Sequence, residues 1–319
     1  MTFSILVRDP ETGFLGAAAA TGNLCVGGWV LRGDARVGLS ASQGHMPSTL
    51  WGEDVLLAMG RGLNAKSAVS EVVNADSARG KRQLLALDRD SDGAVFSGDE
   101  NLPVVSEIIA SNCVVAGNML ENRSVINACH FGFASSHGPL ESRLLNALKQ
   151  ASDAGGDARG LQSAAILVVS EVVNTDSARG KRQLLALDRV SDGAVFSGDE
   201  NLPVVSEIVA PNCVVAGNML KDGSVIKACH CGFEGSHGPL ESRLLTALKH
   251  AADAGGDTRG LQSAAILLVS DEAPPVDLRV DYSDTPLTDL GRLIQRAKGE
   301  KYALWRSTLP TRKNPLGEI

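Results

Sequence analysis

A tandem repeat constrains the fold of this chain more than any other feature of the sequence. Residues 70–169 recur as residues 170–269, and 84 of the 100 aligned positions are identical. Repeat architectures usually stack three or more units of about 20–50 residues, so two units of this length indicate a duplication inside one domain. Without one copy, 219 residues remain, which is an ordinary length for a single domain.

The duplication predicts one complete unit and one incomplete unit. We expect residues 1–169 to form a core from a head, residues 1–69, and copy one, residues 70–169. Residues 170–319 then contain copy two (170–269) and a strand–helix tail. This second unit is predicted to be incomplete, because the head has no second counterpart in the sequence.

The junction between the copies supports this division. In copy one, residues 71–74 end a helix that is predicted for residues 65–74. In copy two, residues 171–174 follow directly on a predicted strand, so most of that helix is missing. A remnant this short is rarely stable, since isolated helices need about 12–15 residues.

Hydrophobic periodicity predicts a mixed α/β fold. Apolar residues every second position indicate strands, and apolar residues at i, i+3, i+4 and i+7 indicate helices. Pro139 suits the first turn of a helix whose buried stripe is Leu140, Leu144 and Leu148. The predicted strands are 2–8, 14–21, 37–43, 83–88, 94–97, 113–118, 163–169 and 276–281, and the predicted helices are 50–60, 65–74, 125–129, 139–154 and 287–298.

Charge and hydropathy exclude several classes of partner. The net charge of −7 argues against nucleic acid, because phosphate binding needs a positive surface. No apolar run approaches the roughly 20 residues that span a bilayer, and the first strand carries no basic signal-peptide region. We therefore expect a cytoplasmic protein with no nucleic-acid or membrane partner.

The six cysteines predict neither a disulfide framework nor a metal site. They form no CxxC pair, and two of them are repeat copies of two others. The run Cys229-His230-Cys231 has the composition of a metal motif, but adjacent residues on a helix point about 100° apart, and copy one has Phe131 at the third position. No metal and no other cofactor is predicted.

Thr2 is the first candidate for chemistry. A small residue after Met1 permits removal of the initiator, which leaves a threonine with a free α-amine. Such an amine can act as the general base for the hydroxyl of its own residue. The predicted strand 2–8 holds this nucleophile rigidly.

Four segments of the sequence resemble one protein family. Residues 1–5, 115–118, 154–165 and 276–281 are together similar to the uncharacterised bacterial domain-of-unknown-function 1028 family, which is placed in the N-terminal nucleophile (Ntn) hydrolase superfamily. With one repeat copy set aside, the resemblance spans residues 1–294. It implies a four-layer αββα sandwich, and it implies an activity only through the superfamily.

The resemblance also directs attention to polar residues near strand ends. Proteasome-like members of the superfamily use a lysine on an early strand, but this sequence has no lysine before Lys66. An amidase-like site remains open, in which the amine acts as base and an Asn side chain or backbone amides bind the oxyanion. Asn118, Asn218 and Gln43 are the candidates. For the two asparagines the alternative is a strand-end residue that satisfies a turn.

A glycine-rich segment, Gly-Gly-Asp-x-Arg-Gly-x-Gln-Ser, occurs in both copies. Its arginine is suited to clamping a substrate carboxylate with two hydrogen bonds. Its glycines and its Asp–Arg pair also suit a braced helix-to-strand loop, and this interpretation is favoured because turns attract these residue types. The candidate substrate-binding residues are Asp157, Arg159, Gln162 and Ser163 in copy one and Asp257, Arg259, Gln262 and Ser263 in copy two.

Together these features predict an Ntn-type hydrolase of an amide or peptide-like bond, acting on a small-molecule or peptide-like substrate. Its catalytic candidates are Thr2, Gln43, Asn118 and Asn218. The alternative is a non-catalytic binding or assembly protein on the same fold, which the missing early lysine favours. Copy two leaves apolar edges in either case, and these predict a homo-oligomer.

Overall fold

The structure is a computed structural model that describes residues 2–90, 92–101, 103–170, 181–188, 192–201 and 204–317. Met1 and the predicted helical remnant 171–174 lie outside these residues.

The chain divides into two compact units. Unit 1 comprises Met1–Glu171, Val269–Pro275 and Glu300–Ile319, and unit 2 comprises Val172–Leu268 and Val276–Gly299. The sequence predicts a boundary at residue 169 with the whole tail beyond it, whereas the tail is divided between the units. The head and copy one belong to unit 1, and almost all of copy two belongs to unit 2.

Unit 1 contains strands from both the head and copy one. The strands are β1 (Thr2–Arg8), β2 (Leu15–Thr21), β3 (Leu31–Asp34), β4 (Gly38–Gly44), β5 (Arg82–Asp88), β6 (Gly93–Ser97), β7 (Ser106–Ala110), β8 (Cys113–Asn118) and β9 (Ser163–Val169). The helices are α1 (Val26–Trp29), α2 (Thr49–Gly60), α3 (Ala65–Asn74), α4 (Ser124–Ala134), α5 (Leu140–Asp153) and α9 (Glu300–Ser307), with a 3-10 turn at Arg79–Lys81.

These strands form two antiparallel sheets. The five-stranded sheet has the order β7-β8-β1-β2-β9, and the four-stranded sheet has the order β3-β4-β5-β6. Head strand β1 therefore lies between head strand β2 and copy-one strand β8. Head strand β4 pairs with copy-one strand β5 from Gly38↔Asp88 to Gly44↔Arg82. The head and copy one thus share both sheets.

Three apolar clusters hold the layers of unit 1 together. The first joins the five-stranded sheet to α4 and α5 and includes Phe3 and Leu144. The second lies between the two sheets and includes Leu6 and Leu85. The third joins the four-stranded sheet to α2 and α3 and includes Leu84. Because successive strand residues point to opposite faces, Leu84 and Leu85 of β5 enter different clusters.

The helices of unit 1 follow the predicted apolar stripes. All five apolar residues of α3 that share one face are buried, and so are Leu140, Leu144 and Leu148 of α5. Pro139 lies one residue before α5, at its N-cap, so the prediction that it occupies the first turn is wrong by one position. Among the described residues, no helix is both long enough and apolar enough to cross a membrane.

Unit 2 contains copy-two elements and two tail elements. Its strands are β10 (Gln183–Leu187), β11 (Gly193–Ser197), β12 (Ser206–Ala210), β13 (Cys213–Gly217), β14 (Ala264–Leu268) and β15 (Val276–Val280), and its helices are α6 (Ser224–Glu234), α7 (Leu240–Asp253) and α8 (Pro286–Ala297). The strands pair as β10-β11, β12-β13 and β14-β15. Within the residues described for unit 2, β10 has no partner equivalent to head strand β4, and β13 has no partner equivalent to head strand β1.

The mixed α/β class predicted from the sequence is confirmed. Strands β1, β8 and β9 and helix α3 have the predicted bounds. The sequence does not predict β3 or β7. The first of these reads Leu-Arg-Gly-Asp and the second Ser-Glu-Ile-Ile-Ala, and neither has a clear alternation of apolar and polar residues. Pairing with β4 and with β8 defines them as strands.

Candidate functional site

Thr2 is the first residue of β1, the middle strand of the five-stranded sheet. The register places it opposite Thr21 on β2 and opposite Asn118 on β8. Its Oγ1 donates a hydrogen bond to Thr21 Oγ1 at 3.1 Å, and only 7% of the residue is exposed. Strand pairing on both sides therefore fixes the backbone of Thr2, and the bond to Thr21 orients its hydroxyl.

Thr2 lines a pocket of about 250 Å³ in unit 1. Pockets for drug-sized ligands measure about 300–1,000 Å³, so this one suits a smaller molecule. The polar residues of its wall are Thr2, Thr21, Asn23, Gln43, His45 and Arg159, and the apolar ones are Leu24, Val26, Trp29, Val30, Pro47, Met119 and Trp305. Polar groups at one part of an apolar pocket are typical of ligand sites.

An aromatic cluster forms part of the pocket wall. Trp29 Nε1 donates to the hydroxyl of Tyr302 at 3.1 Å, and the rings of Trp29 and Trp305 meet edge to face with centroids 5.3 Å apart. Tyr302 and Trp305 lie on α9. Helix α9, near the end of the chain, therefore completes the wall of a pocket that is also lined by Thr2, the nucleophile candidate on β1.

Gln43 connects the two sheets beside Thr2. Its Oε1 accepts from Ser4 Oγ at 2.6 Å, and its Nε2 donates to Gln83 Oε1 at 2.7 Å and to the Ala116 carbonyl at 3.2 Å. The Thr2 carbonyl is more distant, at 3.4 Å from Nε2. An amide nitrogen carries two hydrogens, and the two shorter bonds use both. These contacts position the start of β1.

Asn118 has one satisfied and one unsatisfied side-chain atom. Its Nδ2 donates to Gln83 Oε1 at 3.0 Å, whereas its Oδ1 is buried and has no hydrogen-bond partner in the described part of the chain. An unsatisfied buried acceptor costs roughly 1–3 kcal/mol. The residue is fully buried and is the cross-strand partner of Thr2, so this acceptor lies on the strand next to Thr2.

Copy two contains the same arrangement without the head. Asn218 Nδ2 donates to Gln183 Oε1 at 3.1 Å, and Gln183 Nε2 donates to Ser197 Oγ at 2.9 Å. In copy one, the corresponding bond from Gln83 to Ser97 measures 2.8 Å. The Asn–Gln–Ser chain therefore belongs to the repeat itself. Copy one alone places a head strand beside it in the described residues.

The glycine-rich loop of copy one contacts the end of β2. The buried carboxylate of Asp157 accepts from the backbone N–H of Gly22 and from that of Arg159, the latter at 2.8 Å. The Arg159 guanidinium contacts the same carboxylate at 3.3 Å. A Cβ on Gly22 would lie 2.6 Å from the Gly160 carbonyl, so only glycine permits this approach.

The same loop fixes the segment that follows β2. The backbone N–H of Gln162 donates to the Thr21 carbonyl at 2.8 Å. Ser163 Oγ donates to the Asn23 carbonyl at 2.7 Å and accepts from the Val26 N–H at 3.1 Å. These are bracing contacts. Of the four candidates in this loop, Arg159 alone lines the pocket in the described residues, and its role as a carboxylate clamp stays a prediction.

The glycine-rich loop of copy two is more exposed. Arg259 Nη2 lies 2.6 Å from Asp257 Oδ2, and the Asp257 side chain is 22% exposed, whereas that of Asp157 is fully buried. The hydrogen bond from Arg259 holds the pKa of Asp257 below its usual range. Gln262 and Ser263 are exposed. The ion pair is thus intrinsic to the motif, and its burial in copy one comes from the head.

A family model described as "Family of unknown function (DUF1028)" matches residues 2–174 and again residues 168–290. Together the two matches span most of the chain, and they overlap at the junction of the copies. The chain belongs to the DUF1028 family.

A solved relative supports this membership. The crystal structure of protein SPO2555 from Silicibacter pomeroyi, also assigned to DUF1028, is similar to this chain with a TM-score of 0.52 and 32% sequence identity. The similarity covers 98% of this chain and 93% of that chain. A comparison with curated proteins finds no match.

Several residues at the site of this DUF1028 protein are not predicted from the sequence. Thr21 has a signal in the sequence, because a hairpin of the predicted strands 2–8 and 14–21 brings the end of the second strand beside Thr2. Asn23 and His45 lie in irregular segments, where periodicity carries no signal. Trp305 comes from the far end of the chain, and only tertiary structure brings it to the pocket.

Within the described residues of this DUF1028 protein, no three His, Cys, Asp or Glu side chains are grouped so that they could hold a metal ion. Cys229 and Cys231 lie on α6, where one is half-buried and the other exposed. Burial raises the pKa of the Cys229 thiol, which further disfavours the thiolate that a metal requires.

Proposed function

We propose that this DUF1028 protein is an Ntn hydrolase that cleaves an amide or peptide-like bond in a small substrate. Removal of Met1 makes Thr2 the first residue and frees its α-amine. The architecture proposed with this function is the four-layer αββα sandwich of the superfamily. The order of the three apolar clusters in unit 1 supports it, since they join α4 and α5, the five-stranded sheet, the four-stranded sheet, and α2 and α3 in succession.

One observation carries the proposal. Thr2, the residue that follows the initiator, lines a small pocket, and its strand is paired on both sides. A nucleophile must be both accessible to substrate and fixed in position, since misplacement by about 1 Å can cost 10²-fold in rate. The pocket that Thr2 lines and the pairing of its strand on both sides support this role.

The proposed reaction has two stages. Thr2 Oγ attacks the carbonyl carbon of the amide while its proton passes to the α-amine of the same residue. The amine then gives this proton to the leaving nitrogen as the C–N bond breaks, which leaves an ester on Thr2. Water attacks the ester, the acid leaves, and the Thr2 hydroxyl is restored.

Asn23 is the side chain best suited to stabilise the oxyanion. Its Oδ1 accepts from the Leu24 N–H at 2.9 Å, which orients the amide, and its Nδ2 has no partner within the described residues. Both hydrogens of Gln43 Nε2, in contrast, are used by other groups. Loss of one oxyanion donor costs about 10²–10³-fold in kcat, so Asn23→Ala should lower kcat by this factor with little change in KM.

The test begins with the mass of the purified protein and then uses covalent labelling. We expect a chain without Met1, and one acyl group per chain after reaction with a β-lactone probe, mapped to Thr2. Thr2→Ala should remove labelling and amide hydrolysis with little change in the thermal midpoint, whereas Thr2→Ser should retain both. Retention of Met1 in hydrolytically active protein, or two labelled residues per chain, contradicts the proposal.

A specific observation favours a second candidate function. The side-chain donors of Gln43 and Asn118 are engaged in bonds that join the sheets, and copy two forms the equivalent Asn–Gln bond without a nucleophile beside it. These bonds support a second proposal, a binding protein that uses the Ntn fold without catalysis. Such a protein would show thermal stabilisation by ligands that is the same in wild type and Thr2→Ala, with no turnover and no labelling.

A further inference from the structure

Identical strands in the two copies have very different exposure. Strands β5 and β10 share the sequence Gln-Leu-Leu-Ala-Leu. Leu84, Leu85 and Leu87 of copy one are fully buried, whereas Leu184, Leu185 and Leu187 of copy two are 67%, 41% and 48% exposed. Since the residues are the same, the difference comes from what covers them.

In copy one the head supplies the cover. Strand β4 pairs with β5 along its length, α2 and α3 pack on Leu84, and Leu39 of β4 lies in the same cluster as Leu85 and Leu87. Where the head makes no contact, the copies match: Ile109 and its counterpart Val209 are 53% and 52% exposed. The exposed surface of β10 is therefore the surface that a head covers in copy one.

The number of heads limits how this surface can be covered. Each chain has one head and two repeat copies, so no assembly of intact chains provides a head for every copy. A two-stranded ribbon such as β10-β11 is marginally stable in water without further strands or a packed face. The uncovered copies in a set of chains can satisfy this requirement by covering one another.

We propose that β10 is the centre of a two-fold interface with a second copy of this chain. The charges at its ends are self-complementary, because Lys181 and Arg182 precede the strand and Asp188 follows it. Antiparallel pairing of β10 with itself brings the basic end of each strand to the acidic end of the other. Leu185 lies midway between Arg182 and Asp188 and is therefore at the two-fold axis.

This geometry closes after two chains. An isologous interface uses the same patch on both partners, so it leaves no edge for a third chain. It also removes an exposed apolar strand edge, which otherwise promotes aggregation. The expected species is a dimer, and the head, copy one and the Thr2 pocket remain as they are in unit 1.

Sedimentation of the full chain over a range of concentrations tests the proposal. We expect a dimer for the wild type and a monomer for Leu184→Glu/Leu187→Glu, with unchanged far-UV circular dichroism. Leu57→Glu is the control, because Leu57 on α2 is 61% exposed and lies outside the surface, and this variant should stay dimeric. A monomeric wild type, a dimeric double variant, or open-ended aggregates of the wild type would each overturn the proposal.

A cysteine cross-link provides a second readout, which does not require the fold to tolerate the glutamates that the first experiment introduces. In a Cys231→Ser background, Leu185→Cys should be joined to a second chain by a short bis-maleimide reagent, since the two residues lie at the same axis. Leu57→Cys in the same background should give no such product. A dimer in which position 185 fails to cross-link would place the interface elsewhere and overturn the proposal.

Discussion

Thr2 and Asn118 are cross-strand partners in the five-stranded sheet, and Asn118 Oδ1 is a buried acceptor that has no hydrogen-bond partner in the described residues. In the proposed mechanism, removal of Met1 frees the Thr2 α-amine on this strand. We expect this amine to donate a hydrogen bond to Asn118 Oδ1, which would orient the proposed base. Asn118 would then be a positioning residue for catalysis, and this expectation leads to the first prediction.

Asn118→Ala should lower kcat at least ten-fold and move the acidic limb of the kcat/KM profile to lower pH. The carbonyl dipole of Asn118 favours the charged ammonium, so its loss lowers the pKa of the amine. Asn218→Ala is the control, because it removes the equivalent bond to glutamine in copy two. The pH–rate profiles of both variants check this, and an equal effect of the two substitutions contradicts it.

Arg82 leads to the second prediction, which concerns stability. Its guanidinium is fully buried, pairs with Asp76 at 2.6 Å, and donates to the Leu316 carbonyl at 3.2 Å and to the Met46 carbonyl. It therefore ties the C-terminal segment of unit 1 to β5. Removing one partner of a buried pair leaves an uncompensated charge and costs about 3–5 kcal/mol.

We accordingly expect Arg82→Met to lower the free energy of unfolding by about 3–5 kcal/mol. Arg61→Met is the control, because Arg61 is exposed and forms only a surface ion pair with Glu71, and it should change the free energy by less than about 1 kcal/mol. Urea unfolding of both variants measures the difference. Comparable losses would mean that Arg82 has no special role in holding the tail.

Much of unit 1 is predictable from local patterns. Helix α3 has five apolar residues on one face and an asparagine cap, Asn64, that accepts from the Ser67 N–H at 2.9 Å, and its bounds are predicted correctly. The mixed class and the central strands follow from the same kind of evidence. The two copies, however, are almost identical in sequence, so their own residues do not predict which copy pairs with the head.

The site is less predictable than the fold, because most of it depends on contacts between distant residues. Thr2 is indicated by its position, but Trp305 reaches the pocket only through the packing of α9 against Trp29. Gln43 shows the limit of reasoning from residue type. An amide at a strand end suggests an oxyanion donor, yet both of its hydrogens are used between the sheets.

Buried thiols lead to the third prediction. Burial raises the pKa of Cys113 from 9.0 to about 12 and also raises that of Cys129. The folded state therefore keeps protons that the unfolded state loses above pH 9. Between pH 9 and 12 the unfolded state binds fewer protons, so stability falls as pH rises, by about 1.4 kcal/mol per pH unit for each thiol.

Cys129→Ala should reduce this alkaline loss relative to wild type, although it creates a small cavity and lowers stability at neutral pH. Cys231→Ala, which changes an exposed thiol, should leave the slope unchanged. Thermal or urea unfolding at several pH values from 8 to 11 checks the prediction. Identical slopes for all three proteins would mean that Cys129 does not contribute to the pH dependence.

The last prediction concerns removal of the second copy. Deletion of residues 170–269 rejoins Val169 to Ser270 and leaves 219 residues. In the full chain, tail strand β15 pairs with β14, from Ala264↔Val280 to Leu268↔Val276. The copy-one counterpart of β14 is β9, which lies at the edge of the five-stranded sheet, so β15 can add to that edge as a sixth strand.

The deletion also removes the apolar surface of β10 and loses none of the residues that line the Thr2 pocket. We therefore expect the shortened chain to unfold at a temperature at least as high as that of the full chain, to be labelled at Thr2 by the same β-lactone probe, and to associate less. Loop closure favours it too, because a shorter connection between β9 and the tail costs slightly less entropy. Calorimetry, sedimentation and labelling of the two chains give the answer. An unfolded deletion variant beside a well-behaved monomeric full chain would show instead that the two copies form one required architecture.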